Sequence, residues 1–415
     1  MEGMDIMKRY ATKLLFLTAA IVLLLTGCFF QSPDELYAPP RAPDDYLKLQ
    51  SKIDEVLGRG GEYAAPISGE LTQQVQLQDL DGDGVKEAIA FFRVSTDEKP
   101  LKIYIYRQVG EDYEVAAIIE EAGSGINSVY YENVDDSPTK EIIVSWQMSD
   151  KVHSLAAYSI NGFQVLELMR TSYTDFQIYD LDMDGQQEIL AIQSGTAESA
   201  GRVELYNFHG GVLDLESSAP LSLGTMGLVE GGVKTGYLQE LVPALFVPSQ
   251  YGENGQITDV FAWRNNRIEN ITLDAETGES DNTIRWYTQV SGTDINNDLI
   301  MELPDPYALP DPKSATTAVN FWAIRWRQYD IDGNQWPVFT TYHNDRDGWY
   351  FILPDEWEGK ITLSRSDLSG GSERAVVFSY WEEGSLAEPV PFLVIYKLTG
   401  SNREMRAALT GRFRL

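Results

Sequence analysis

The chain has 415 residues, 32 basic against 63 acidic side chains for a formal net charge of −31, 43% hydrophobic residues and one cysteine. That apolar content is enough for one large domain or two to three ordinary ones, so disorder is excluded as the dominant state. The charge repels phosphate backbones and favours cations, which argues against nucleic acid, and one cysteine beside His153, His209 and His343 excludes a disulfide framework and Cys-rich zinc sites.

Met7-Lys8-Arg9 through Lys13 is a basic stretch, and Leu14 to Leu25 is an apolar run of about 12 residues, the two parts of an export signal and too short to span a membrane comfortably. The run ends Leu25-Thr26-Gly27-Cys28, which resembles the lipobox of bacterial lipoproteins. The resemblance implies a signal peptide over residues 1–27 and lipidation at Cys28. The body is then expected outside the cytoplasm, held on the bacterial cell membrane by acyl chains rather than by a helix. Residues 28–45 carry Pro33, Pro39, Pro40 and Pro43 and read as an extended tether. Residues 46–58 read as a short helix: Asp44-Asp45 can cap it, Tyr46, Leu49, Ile53, Val56 and Leu57 recur at helical spacing, and Gly58 ends it.

From about residue 60 to the end the pattern is all-β. Runs such as Val75–Leu77, Ala88–Val94, Leu101–Tyr106, Tyr113–Ile119, Ile142–Trp146 and Leu155–Ile160 have strand lengths, and Ile, Val, Tyr and Phe dominate them. Two segments align closely. Asp79 to Glu87 reads DLDGDGVKE and Asp180 to Glu188 reads DLDMDGQQE, each between two strand-like runs. Weaker copies place Asn133, Asp135, Ser137 and Glu141, and Asp294, Asn296, Asp298 and Glu302, at the same offsets. A fifth, with Asp367, Ser369, Gly370 and Glu373, has Arg365 in its first position. The copies advance by about 50 residues, with room for a silent copy near Gly231–Phe246 and a Pro-rich insertion, Pro304–Pro312, stretching the last interval. That period with about four strands per unit predicts a β-propeller of six or seven four-stranded blades, the alternative being a row of separate small β-domains.

Oxygen ligands at positions 1, 3 and 5 of a tight turn, a backbone carbonyl at position 7 and a carboxylate at position 9 suit a hard cation, calcium above all. The expected ligands are Asp79, Asp81, Asp83, the Val85 carbonyl and Glu87; Asp180, Asp182, Asp184, the Gln186 carbonyl and Glu188; and Asp294, Asn296, Asp298 and Glu302. Gly84 and Gly185 are expected at positive φ. The fourth loop has Leu299 there, and the Asn133–Glu141 loop, with Ser137 and Pro138, is not expected to bind tightly. An EF-hand is excluded because position 12 is Ala90 or Ala191 and a strand follows each loop. The loops resemble those of FG-GAP and VCBS repeats, the integrin-type propeller blades, which implies structural calcium sites. The competing reading is that D-G turns are solvated connections without metal. Asp330-Ile-Asp332-Gly-Asn334 has Val338 at position 9 and reads as a turn.

Candidate chemistry is thin: no H-E-x-x-H and no phosphate loop occurs, and His153 and His209 sit in strand or turn sequence. Trp322, Trp326, Trp336 and Trp349 are the candidate ligand surface, since indole faces stack on sugars or anchor protein partners; packing between blades is the competing role. Two consecutive strands of an atypical last blade are expected at Gly348–Pro354 and Trp357–Leu363. The sequence therefore predicts an anchored, calcium-stabilised propeller that binds a protein or carbohydrate or serves as a scaffold, with a polysaccharide-acting hydrolase or lyase as the alternative.

Overall fold

The structure is a computed structural model that describes residues 44–161, 164–196, 199–312, 321–367, 372–382 and 387–414. The residues expected to form the export signal, Cys28, most of the expected tether, and Ser369 and Gly370 of the fifth copy lie outside the described residues. The chain forms two compact units, the smaller comprising residues 44–59 with 109–114 among those described and the larger comprising the remainder. In the smaller unit, α1 (Asp44–Gly58) takes in Asp44 and Asp45, which the sequence reading assigned to the tether and the cap. Leu49 and Ile53 are its buried residues, and Lys48 and Lys52 reach Glu111 and Asp112 at 3.4 and 3.8 Å.

The larger unit is built from antiparallel sheets, six of them among the described residues. The first contains β1 (Glu62–Tyr63), β2 (Val75–Gln78), β3 (Glu87–Arg93), β4 (Leu101–Val109) and β5 (Asp112–Glu121). The second is β6 (Gly125–Glu132), β7 (Glu141–Gln147), β8 (His153–Asn161) and β9 (Gln164–Tyr173); the third is β10 (Asp175–Tyr179), β11 (Glu188–Gln193), β12 (Arg202–His209) and β13 (Val212–Pro220). The fourth holds β14 (Thr225–Leu228), β15 (Lys234–Tyr237), β16 (Pro243–Tyr251), β17 (Gly255–Arg264) and β18 (Arg267–Asn270). β19 (Leu303–Ala308), β20 (Trp322–Tyr329), β21 (Gln335–Asn344) and β22 (Trp349–Leu353) form the fifth, and β23 (Ile361–Asp367), β24 (Glu373–Tyr380) and β25 (Val390–Leu398) the sixth. A short helix, α2 (Arg403–Ala407), follows.

Burial explains the composition of these strands. Ala88–Phe92 of β3, Ile142–Val144 of β7, Ile189–Ile192 of β11 and Ala244–Val247 of β16 are apolar without alternation and at most 2% exposed, so both faces of each strand are covered. On the edge strand β13, by contrast, only Leu213 and Ala219 are buried and most other residues are exposed. Successive sheets share their cores: Phe91 and Ile103 of the first pack in one cluster with Val144 and Trp146 of the second. Ile143 and Leu155 continue to Ile189 and Leu213, Leu190 and Leu205 to Leu245 and Phe261, Phe246 and Val260 to Leu303 and Tyr329, and Ala323 and Tyr342 to Val376 and Phe378. Small meandering sheets packed face to face in chain order make this an all-β fold of the propeller type.

Two expectations need correction. The Pro304–Pro312 stretch is not simply an insertion, because β19 (Leu303–Ala308) runs through its first half; Pro304 and Pro306 pair with Trp326 and Ile324 on an edge strand, where alternate prolines leave both missing N–H groups on one side. Gly348–Pro354 and Trp357–Leu363 do not form one blade: β22 pairs with β21, and β23 with β24 of the next sheet. The N-terminal strands β1 and β2 both pair with β3, and among the described residues no strand pairing joins the first sheet to the last.

Candidate functional site

The acidic loops connect first to second strands: β2 to β3, β6 to β7 and β10 to β11. In the fifth sheet the incoming strand is reduced to the bridge Thr293–Glu302 before β19. One hydrogen bond recurs in all four. The position-9 glutamate is buried and accepts the backbone N–H of position 2 through Oε2: Leu80 to Glu87 at 2.9 Å, Val134 to Glu141 at 3.1 Å, Leu181 to Glu188 at 2.7 Å and Ile295 to Glu302 at 2.9 Å. Position 1 accepts the N–H of position 6 in three of them, Asp79 from Gly84 and Asp180 from Gly185 at 3.1 Å, and Asp294 from Leu299 at 2.9 Å. The side chain of position 5 accepts the N–H of position 7, as Asp83 from Val85, Asp184 from Gln186 and Asp298 from Ile300. Turns at positive φ fall at positions 4 and 6: Gly82 and Gly84, Met183 and Gly185, Asn297 and Leu299. The glycines at position 6 are therefore where the chain needs them, and Leu299 takes the same conformation without that freedom.

The loops differ in how their carboxylates converge. In the third sheet Asp180, Asp182, Asp184 and Glu188 bring one oxygen each within 4.8 Å of one another; in the first, Asp79, Asp81 and Glu87 do so, without Asp83. Asp180 Oδ1 and Glu188 Oε1 are buried and have no hydrogen-bond partner. Burial, aided by the three neighbouring aspartates, pushes the Glu188 carboxyl up to about 8, and burial raises Glu87 as well. Orphaned buried oxygens in an all-oxygen donor set fit a hard divalent cation, which would remove both the repulsion and the unsatisfied acceptors.

The fourth acidic loop is closed differently. Gln328 donates its amide Nε2 to Asp298 Oδ2 and to Glu302 Oε1, each at 2.8 Å, and Asn296 donates to the same Asp298 oxygen. Asp294, Asp298 and Glu302 do not converge as the other carboxylates do. In the Asn133 loop, Asn133 donates to the Ser137 carbonyl and burial pushes Glu141 up to about 7. The region of the silent copy, β15 to β16, is joined by the short turn Leu238–Val242, which has none of the ligand pattern. Asp330 accepts the N–H groups of Asp332 and Asn334, as a turn.

The four tryptophans do not form one surface. Trp326 is 1% exposed in the core and donates to Thr341 Oγ1, so it is unavailable to a ligand; this corrects the expectation. Trp322 stacks on Tyr287 and Trp349 packs edge-on against Tyr342, both half-buried, which leaves Trp336 as the exposed member.

An open cavity of about 660 Å³ lies instead among β6, β10 and the segment after β14. Tyr130, Tyr173 and Phe176 line it, with ring centroids 5.4 and 5.0 Å apart about Phe176, and His153 packs against Tyr173. Three carboxylates, Glu132, Asp175 and Glu230, and no lysine or arginine stand in its lining. Burial raises the Asp175 carboxyl, whose Oδ1 accepts the Phe176 N–H at 2.7 Å. Flat aromatic faces beside acceptors can hold a neutral sugar or an amine and disfavour phosphates. These residues come from three different sheets, and no local motif marks them in the sequence.

No family model matches the chain, and no curated protein matches it in sequence. Among solved structures the chain is similar to a rhamnogalacturonan lyase of Bacillus licheniformis, at a TM-score of 0.28 and 13% identity over 77% of this chain and 70% of that one. It is also similar to a periplasmic gluconolactonase of Pseudomonas aeruginosa, at 0.29 and 11% over 74% and 82%. Likenesses of this size bear on neither reaction nor ligand.

Proposed function

We propose that the chain is an extracytoplasmic lipoprotein, anchored through Cys28, whose FG-GAP/VCBS-type propeller is stabilised by calcium and works as a binding or adhesion module. The observation that carries the calcium reading is the convergence of Asp180, Asp182, Asp184 and Glu188 with two buried oxygens left without partners. Outside the cell, dissociation constants of about 10⁻⁴ to 10⁻³ M suffice. The ligand, a carbohydrate or a protein segment, is held in the cavity around Tyr130, Tyr173 and Phe176.

A second reading, an enzyme acting on polysaccharide, is favoured by one observation, the Asp175 carboxyl raised within that cavity. Asp175→Asn separates the two: it should abolish turnover of a glycan substrate under the second reading, and change only affinity under the first.

Thermal unfolding of the full chain with calcium, with magnesium and with chelator tests the metal. Calcium about 100-fold above its dissociation constant stabilises by ~2.7 kcal/mol per site. A calcium-specific rise in melting temperature should appear and be lost in Asp81→Ala plus Asp182→Ala. An unchanged melting temperature in all three conditions would leave the acidic loops as plain turns.

A further inference from the structure

Arg285 is 4% exposed in a chain with 63 acidic side chains against 32 basic, yet among the described residues no carboxylate pairs with it. Its Nη2 donates to the amide oxygen of Gln256 at 2.5 Å, and its Nε is buried without a partner. The residue is not loosely placed: its backbone N–H and carbonyl exchange hydrogen bonds with Gln256 of β17 at 2.8 and 2.9 Å. Burial lowers the guanidinium to about 10, which still leaves it charged at neutral pH. A buried cation without a counter-charge is costly, and removing its proton is not a remedy open to arginine.

The space beside it has matching chemistry. Arg285, Lys234 of β15 and Thr258 of β17 line a cavity of about 20 Å³ whose remaining wall is apolar apart from Ser291 and glycine backbone and contains no carboxylate. Lys234 Nζ donates to the Gly292 carbonyl at 2.9 Å, which leaves further N–H groups on the ammonium. The Thr258 hydroxyl is buried and unpartnered, like Arg285 Nε. Two cations and a free hydroxyl therefore face a space that holds one particle about the size of a water molecule. Sulfate, phosphate and carboxylate ligands are too large for it. A water would satisfy donors and leave the buried guanidinium charge uncompensated.

We propose that this cavity is a buried halide site that takes chloride, held by Arg285 and Lys234 with the Thr258 hydroxyl. Such an ion would tie β15 and β17 of the fourth sheet to the segment from Arg285 to Leu303 that leads into the fifth. Met301 of the fourth acidic loop stands in its wall, but none of the expected calcium ligands does, and the site does not rest on the calcium reading.

The test is the melting temperature of the full chain as sodium chloride replaces sodium gluconate at constant ionic strength and fixed calcium. Chloride, and bromide after it, should raise the melting temperature along a saturating curve, and Arg285→Met should lose that increment. Equal melting temperatures in the two salts, or an increment kept in the variant, would overturn the site. Should Arg285→Met fail to fold, ³⁵Cl line broadening by the native chain and its reduction in Lys234→Met give the same decision. No excess broadening would mean that water fills the cavity and that the proposal is wrong.

Discussion

Glu141 shows how the buried glutamate of the recurring loop serves the fold. It is fully buried, accepts the Val134 N–H and is pushed by burial from 4.5 to about 7. The folded chain therefore holds this proton more tightly than the unfolded one. Its stabilising contribution is full below about 4.5 and is lost as pH rises through about 7. Glu141→Gln keeps an acceptor for Val134 and removes the titration. Urea unfolding across pH should show the variant gaining on the native chain between about pH 4.5 and 7, by at most ~3 kcal/mol, and level above that. Parallel profiles would mean that Glu141 is not held in this environment. Leu299 makes the opposite case, a residue whose chemistry its loop does not need. It is 63% exposed at a φ of +76°, so Leu299→Gly loses little packing and relieves backbone strain. A net stabilisation of roughly 0.5–1 kcal/mol is expected in thermal unfolding, and a destabilised variant would contradict the strain argument.

At the level of the element, the strands were legible because their residues are. Val75–Leu77, Ala88–Val94 and Ile142–Trp146 are found as β2, β3 and β7 within a residue or two at each end. β19 was missed for the same kind of reason: two prolines argue against a strand, and only its place at a sheet edge makes them tolerable. The tryptophans carry a similar lesson. Trp326 and Trp336 are ten residues apart and equally apt for a ligand, but one is 1% and the other 50% exposed. Trp326→Ala should cost about 3–5 kcal/mol in urea unfolding, while Trp336→Ala should stay within about 0.5 kcal/mol. Similar costs for both would mean that the core assignment of Trp326 is wrong.

Across the whole molecule, the two convergent loops belong to the first and third sheets, and the cores that flank the second sheet lie between them. Sites so separated, with no shared ligand, should act independently. The calcium-dependent gains lost in Asp81→Ala and in Asp182→Ala should add in the double variant to within about 0.5 kcal/mol. A clear excess or deficit would show that the sheets transmit the occupancy of one loop to the other.

The repeat, the all-β composition, the loop chemistry and the left-handed turns at Gly84 and Gly185 could be read from sequence because each depends on residues close along the chain. Asp79 to Glu87 contains its own carboxylates and its own turn, so neighbours alone specify it. Which loops converge is a different matter. Gln328, 26 residues beyond Glu302, supplies the amide that closes the fourth loop, and nothing near Asp294 announces it. The cavity around Tyr130, Tyr173 and Phe176 and the uncompensated Arg285 likewise depend on side chains from different strands and sheets. Local chemistry is set by adjacency in the chain; burial, and with it the fate of every charge and tryptophan, is set by what the sheets bring against it.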